Sequence, residues 1–215
     1  MAWTSPATWL AGSTLTAAQL NEQVRDNSLA GGPIYTTEAL RDAAIPAPFE
    51  GQRAYITAST IAAATGLVTA VPTGIQTIYN GAAWVCVTPV SADTTTGGTT
   101  TSTSFTPTLT SGGTNPSVTI STGTTALITF SLALASSTAG AAAVASIAVS
   151  GATTVAASDN YNVFIFNSTV SMTSSRTFVL TGLTAGTNTF TYNYKLGAAA
   201  TGTFASRAIT VQGIA

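Results

Sequence analysis

Apolar and polar residues alternate strictly along several short stretches in the second half of the chain. The clearest are residues 128–134, ITFSLAL, and residues 190–196, FTYNYKL. A period of two is that of a β-strand with one buried face. Similar stretches recur at 118–120, 143–149, 162–166, 178–180 and 209–211, separated by glycine-rich segments. Strands with such turns and no helical periodicity predict an antiparallel β-sandwich, of jelly-roll type, over residues 105–215.

A helix is predicted near the N-terminus, in the stretch TLTAAQLNEQVRDN. Thr16 and Gln19 have the spacing of a capping box, and Leu15 before the cap can pack on Leu20. Leu20 and Val24 lie on one narrow apolar stripe, which suits a groove or a small bundle. Because so short a helix is marginally stable alone, it needs a partner surface.

Two tryptophans, Trp3 and Trp9, precede this helix in a segment that contains proline and glycine. Their rings are a large apolar surface for an extended arm. Either they fold back on the helix of their own chain, or arm and helix dock together on a neighbouring protein. Both interpretations assign residues 1–48 to an N-terminal arm and helical region.

Three further segments are predicted between this region and the sandwich. A short helix begins after Thr36 or Thr37 and runs to about Ala44, before a proline pair. Residues 49–90 form a small β connector, with Asn80-Gly81 as the turn of a hairpin. Residues 91–104, SADTTTGGTTTSTS, are predicted to be a Thr/Gly/Ser linker.

Charge is scarce and changes the picture of the surface. Only 6% of residues are charged and the net charge is −1, against about 25% charged residues in an average domain. After Asp93 the chain holds four charged side chains, which are Asp159, Arg176, Lys195 and Arg207. Such a surface has weak protection against association, so burial in an oligomer is expected. So few basic residues exclude a nucleic-acid-binding stripe.

Residues 126–152 are uncharged and long enough to cross a bilayer. Their strict alternation, the Ser and Gly residues within the run and the missing basic flanks predict strands and no membrane insertion. The first residues lack the pattern of a signal peptide, so assembly in a cytoplasm is expected.

The residues for catalysis are missing. The chain has no histidine and one cysteine, Cys86, which excludes His-based triads and a Cys-based zinc site within one chain. Paired carboxylates for sugar cleavage would need two subunits, since the sandwich carries only Asp159. We therefore expect no enzyme, metal or cofactor. The rings of Tyr161, Phe164, Phe166, Tyr192 and Tyr194 are either core residues or stacking faces for a sugar.

Several segments resemble proteins of tailed-bacteriophage virions. The opening WTSPATWLAGSTLTAAQLNEQVRDN is similar to the N-terminal segment of minor tail, fibre and head-fibre proteins, and ALRDAAIPAPFEGQRAYI with IYNGAAWVCV is similar to a connector of phage fibres. The series ALITFSLALASSTAG, ASIAVSGATTVAASDN, FVLTGLTAGTNTFTYNYKL and GTFASRAITVQGI resembles a jelly roll of the TNF or C1q type. The ending VQGIA departs from the hydrophobic tail usual in that pattern.

The resemblance implies a homotrimer held in a virion by its N-terminal region, with Trp3, Trp9, Leu15, Leu20 and Val24 as anchoring residues. Its partners would be other virion proteins, and a glycan of the host surface is a candidate ligand. A tail position is favoured, and a head fibre or capsid decoration is the alternative. A polysaccharide-degrading spike and a bacterial adhesin are the other classes, which the missing catalytic residues and export signal disfavour.

Overall fold

The computed structural model describes Thr16, residues 32–166 and residues 169–215. Within these ranges the protein is mainly β, with a single α-helix, α1 (Glu38–Ala44), and a 3₁₀ turn at Asp159–Tyr161. No helix in this part of the chain is long and apolar enough to cross a bilayer.

The strands fall into two groups along the chain. The first group is β1 (Ile34–Tyr35), β2 (Arg53–Ile56), β3 (Ala62–Thr65), β4 (Val68–Ala70), β5 (Ile75–Tyr79), β6 (Trp84–Cys86), β7 (Val90–Thr94) and β8 (Gly98–Thr100). The second group is β9 (Ser117–Thr122), β10 (Thr125–Ser136), β11 (Ala143–Gly151), β12 (Asn162–Ile165), β13 (Met172–Thr181), β14 (Gly186–Leu196) and β15 (Gly202–Ile214).

Two sheets form a β-sandwich. The first has the order β13-β10-β15-β7-β4, with β8 also paired to β15, and the second has the order β12-β11-β14-β9-β3. All their ladders are antiparallel. The two strand orders show that the chain crosses repeatedly from one sheet to the other between β9 and β15, in the arrangement of a jelly roll. This confirms the fold class that the alternating stretches predict.

The core lies between the two sheets and is built by the predicted alternation. Ile128, Phe130, Leu132 and Leu134 of β10 are fully buried, whereas Thr129 between them is exposed. Phe190, Tyr192, Tyr194 and Leu196 of β14 are buried in the same layer. The Tyr192 hydroxyl donates to the carbonyls of Ser131 and Ala208 across the core, at 2.8 and 2.6 Å, so its polar end is satisfied.

A smaller sheet, β1-β2-β5-β6, carries α1. Thr37 caps the helix by accepting from the Leu40 N–H, as its sequence predicts. The hairpin at Asn80-Gly81 is also confirmed, because β5 and β6 are antiparallel neighbours. The Asn80 side chain accepts from the N–H groups of Ala82 and Ala83, and Gly81 has a positive φ of 87°.

The connector predicted at 49–90 is not a separate unit. Between β2 and β5, the chain leaves the small sheet. It adds β3 to one sheet of the sandwich and β4 to the other. The Ser121 hydroxyl also donates to the Trp84 carbonyl at 2.7 Å, and the Gln212 amide donates to the Val87 carbonyl at 2.7 Å. The small sheet is thereby joined to both layers of the sandwich.

The linker predicted at 91–104 needs correction. Its first residues belong to β7, and Gly98–Thr100 form β8; both strands pair with β15. Val90, Ala92 and Thr94 point inward and are buried, while threonine suits a half-buried strand. The composition resembled a linker because these strands use small residues, with Gly98 packed close to the backbone of Gly112.

Candidate functional site

The residues predicted to anchor the chain lie outside the described residues. These are Trp3, Trp9, Leu15, Leu20 and Val24. The structure therefore leaves that prediction as it stands. The surfaces that follow belong to the sandwich.

One outer face of the sandwich is almost free of charge, and we call it the neutral face. It is made by the outward residues of β10, β13, β15 and β7, which are Leu127, Thr129, Ser131, Ala133, Thr173, Ser175, Thr177, Val179, Ala208, Thr210, Gln212, Ile214, Ser91 and Asp93. Asp93 is the one charged residue of this set. Val179 pairs with Leu127, and Leu127 pairs with Gln212, so the apolar residues gather at one end of this face.

The edge beside β12 and β13 exposes large apolar side chains. Phe166, Val170 and Met172 are each more than half exposed, and we call them the apolar edge. Deeper at this edge, the Arg176 guanidinium donates to the Asn162 carbonyl at 3.0 Å, and Phe178 stacks on Tyr161 with ring centroids 5.0 Å apart. The inner side chains of this edge are therefore packed, whereas its outer side chains expose apolar surface to solvent.

A β-bulge redirects the side chains of β15. The register of β15 against β10 shifts between Ser131 and Ala133, and Ser206 has a positive φ of 47°. A residue in this left-handed region is typical of one bulge type. The bulge changes which positions point inward, so that Arg207 enters the core and is 1% exposed.

In the part of the chain that the structure describes, the buried guanidinium of Arg207 is held by uncharged oxygen atoms and by no carboxylate. It donates to the hydroxyl of Tyr194 at 2.9 Å and to the side-chain oxygen of Asn115 at 3.3 Å. Two backbone carbonyls also accept from it, those of Thr96 and Gly112. Arg207 therefore ties the segment before β9 to the core, and this cluster is structural.

The outer face of the second sheet carries a different group, which we call the polar-aromatic patch. It consists of Phe105, Asp159, Asn162, Phe164 and Lys195. The ladder registers place Phe164 and Lys195 on either side of Val144. The antiparallel bridge between Thr106 and Tyr194 places Phe105 beyond Lys195 in the same row.

Asp159 joins the members of the patch. Its carboxylate accepts from Lys195 Nζ at 2.6 Å and from Asn162 Nδ2 at 3.3 Å. The hydrogen bond from Lys195 is the main cause that lowers the pKa of Asp159. Asp159 is nevertheless 62% exposed, whereas Lys195 is 19% exposed and its Nζ lies 4.5 Å from the centre of the Phe105 ring, a cation–π geometry.

The sequence leaves five aromatic residues as either core residues or surface residues. The structure now assigns each of them. Tyr192 and Tyr194 are buried, and Tyr161 is half-buried against Phe178. Phe164 and Phe166 are exposed. Only these two can offer a free ring face to a ligand.

The sequence search missed the patch as a group. The polar positions of FTYNYKL did place Lys195 on the face opposite the core, and that signal was available. Asp159 reaches Lys195 from a turn 36 residues away, and no local pattern predicts that contact.

Away from these surfaces, the acidic and thiol groups of the described ranges are scattered. There, no three His, Cys, Asp or Glu side chains come together as a metal site would require. Cys86 is buried and free, and burial raises the pKa of its thiol to about 11. A protonated, enclosed thiol is a poor nucleophile.

Comparisons with known proteins add little to this geometry. No family model matches the chain, and no curated protein matches it. Among solved structures it is similar to an exo-β-1,3-galactanase from Phanerochaete chrysosporium in complex with β-1,3-galactotriose, with 16% identity and a TM-score of 0.25. The match covers 63% of this chain and 32% of the galactanase, about a third of that protein. A match this weak carries no argument about function.

Proposed function

We propose that this protein is a non-enzymatic structural protein of a tailed-bacteriophage virion, in which three copies form a fibre or minor tail component. The N-terminal arm and helix hold the trimer in the particle, and the jelly roll is displayed outside. The observation that supports this assembly best is the pairing of a neutral face with an apolar edge on one sandwich.

The neutral face shares one property with interfaces between subunits, which is the scarcity of charged residues. The centres of interfaces are depleted in charged residues, and this face presents Thr, Ser and Ala around the cluster of Leu127, Val179 and Ile214. Val179 is half exposed. Covering an uncharged sheet with a second copy avoids the large cost of desolvating ions, provided that the buried hydroxyls find hydrogen-bond partners.

The apolar edge supplies the complementary surface. It differs from the neutral face and lies at the side of the sandwich, so a contact between the two is heterologous. Heterologous contacts that close produce a ring, and the resemblance to trimeric phage jelly rolls sets the number at three. Phe166 and Met172 of one copy would then lie against the neutral face of the next.

A tail position gives the displayed sandwich access to the host surface, and it is the location we favour. A head fibre or capsid decoration is the alternative, since the same trimer would serve there. A spike that cleaves polysaccharide would need carboxylates placed by different subunits, because Asp159 is the one acidic residue after Asp93.

The mass of the full chain in solution tests the assembly. Light scattering coupled to size exclusion should give three times the chain mass of 21.5 kDa. Changing both Leu127→Lys and Val179→Lys should shift the mass to that of one chain, because two buried ammonium groups would lack partners.

Ser150→Lys is the matched control, since Ser150 is an exposed strand residue of the other sheet. This variant should remain trimeric. A monomeric wild-type chain, or a double variant that stays trimeric, would contradict the proposed assembly.

A further inference from the structure

We infer that the polar-aromatic patch is a binding site for a neutral saccharide. The inference deepens the proposed function, on which it rests, by assigning a ligand class to one surface of the displayed sandwich. The patch lies on the sheet opposite the neutral face. The apolar edge begins at Phe166, two residues beyond Phe164, and the patch extends from Phe164 in the other direction, toward Lys195 and Phe105.

The ring of Phe164 is 56% exposed at the outer face of β12. Its face is therefore available to an apolar partner. A pyranose has one face made of C–H groups, and such a face packs on an aromatic ring. Phe164 therefore provides the apolar half of a sugar contact.

The same patch offers polar atoms, which belong to Asp159, Asn162 and Lys195. The carboxylate of Asp159 accepts one bond from Lys195 and one from Asn162, which leaves lone pairs for further donors. Vicinal hydroxyls of a sugar are such donors, and bonds to a charged acceptor are stronger than neutral ones. The Lys195 ammonium retains donors for a ring or hydroxyl oxygen.

The charges of the patch favour a neutral ligand over an anionic one. Lys195 and Asp159 compensate each other in a sandwich that carries few other charges. An anionic sugar would face the more exposed member of the pair, Asp159, while its natural partner Lys195 is already engaged. A neutral hexose meets both groups without this repulsion.

The polar groups of the patch are held in place by contacts within the protein itself. Lys195 is fixed by Asp159 and by the Phe105 ring. The turn that carries Asp159 is fixed by the Ser146 hydroxyl, which donates to the carbonyls of Ser158 and Tyr161. Pre-ordered side chains lose less conformational entropy on binding.

The size of the patch fits a short saccharide. Phe164 and Lys195 are two strand spacings apart, or about 10 Å, with Val144 between them. That span accommodates a monosaccharide or disaccharide lying across the strands. The surface is shallow, so weak binding by each copy and gain from several copies are expected.

Saturation-transfer NMR on the full chain tests the inference. The probes are the methyl glycosides of glucose, galactose, mannose and N-acetylglucosamine, with N-acetylneuraminic acid as the anionic comparison. At least one neutral probe should receive saturation at its C–H protons. Asp159→Ala and Phe164→Ala should each weaken its affinity by about tenfold or more, with unchanged circular dichroism.

Phe49→Ala and Glu50→Gln are matched controls, because they remove an exposed ring and an exposed carboxylate next to each other on the N-terminal part of the chain. Both controls should bind as the wild type does. No signal from the neutral probes, a signal from the anionic probe alone, or binding that survives Asp159→Ala and Phe164→Ala would overturn the inference.

The mass measurement separates this failure from failure of the proposed function. A trimer that binds no neutral sugar overturns the saccharide site alone. A monomer that binds sugar through Asp159 and Phe164 contradicts the proposed assembly and keeps the site.

Discussion

Arg207 shows how one residue in this protein can combine a large desolvation penalty with a necessary role. Taking a guanidinium out of water is unfavourable, and its Nε has no hydrogen-bond partner. Its remaining donors satisfy oxygens of Thr96, Gly112, Asn115 and Tyr194, which lie in separate segments. Losing the donor would leave the buried Gly112 carbonyl without its partner and would remove the bonds to Thr96 and Tyr194, whereas the Asn115 oxygen would keep the bond that it accepts from the Tyr194 hydroxyl at 2.6 Å. The loss of these bonds outweighs the relieved desolvation.

We predict that Arg207→Met destabilises the protein by about 2–4 kcal/mol, the cost of the lost guanidinium hydrogen bonds less the relieved desolvation. Guanidinium chloride denaturation measures the free energy of unfolding. Arg53→Met, at an exposed strand position, is the control and should change it by less than about 0.5 kcal/mol. Equal effects of the two substitutions would mean that the Arg207 cluster contributes nothing.

Secondary-structure elements with strong contrast between apolar and polar positions were predictable. β10 and β14 alternate large apolar with hydroxyl residues, and α1 has a threonine cap and a proline stop. β3, β4 and β8 read AAAT, VTA and GTT, which have little contrast. They are strands because neighbouring strands offer unpaired backbone groups, and that tertiary contribution leaves no local pattern.

The bulge in β15 could not be predicted from the sequence either, because no local pattern marks its position. The sequence FASRAITV gives a continuous alternation only if one residue is skipped at Ser206. Without the structure, the single charge at Arg207 reads as an outward position. The same limit applies to the polar-aromatic patch, whose Asp159 comes from a turn that only the folded chain brings to Lys195.

Helix α1 is fastened to the segment between β2 and β3 by a carboxylate. Glu38 accepts from the Ser59 hydroxyl at 2.6 Å, from the Thr60 N–H at 3.0 Å and from the Thr60 hydroxyl at 3.2 Å. Burial alone would raise the pKa of Glu38, but these hydrogen bonds outweigh burial and lower it. The ionised form is therefore favoured by folding.

A pH dependence follows for this element. Because the pKa of Glu38 is lowered in the fold, its contribution is present above the unfolded value of about 4.3 and is lost as the pH falls through the folded value. Thermal melts should show wild type more stable than Glu38→Gln at neutral pH, with the gap closing in acid. A gap that is constant with pH would contradict the role of the charge.

At the scale of the whole molecule, a body with few charged residues is joined to a more highly charged N-terminal region that the sequence predicts to be an anchor. The absence of histidine and the few carboxylates leave little of the stability dependent on titration between mildly acidic and mildly basic pH. Burial further raises the pKa of Tyr192 and Tyr194, so these core residues stay neutral until strongly basic conditions. Such insensitivity suits a particle outside cells.

Incorporation into particles tests the anchor. Leu20→Asp combined with Val24→Asp should give a folded, trimeric protein that is missing from purified virions, because charge on the apolar stripe prevents docking. Glu22→Gln with Asp26→Asn changes two charges with the same spacing on the opposite, polar face of the predicted helix and should be incorporated normally. Immunogold labelling of the control locates the protein on tail or head, and normal incorporation of the first variant would refute the anchor.

The excursion of the chain through β3 and β4 has a mechanical consequence. A pull from the N-terminal side first loads β1 and β2 of the small sheet, and then β3 and β4, which pair with different layers of the sandwich. Beyond the small sheet, the pull therefore meets backbone hydrogen bonds of both layers. In the virion proposed above, load on the N-terminal side would therefore reach both layers of the sandwich after the small sheet.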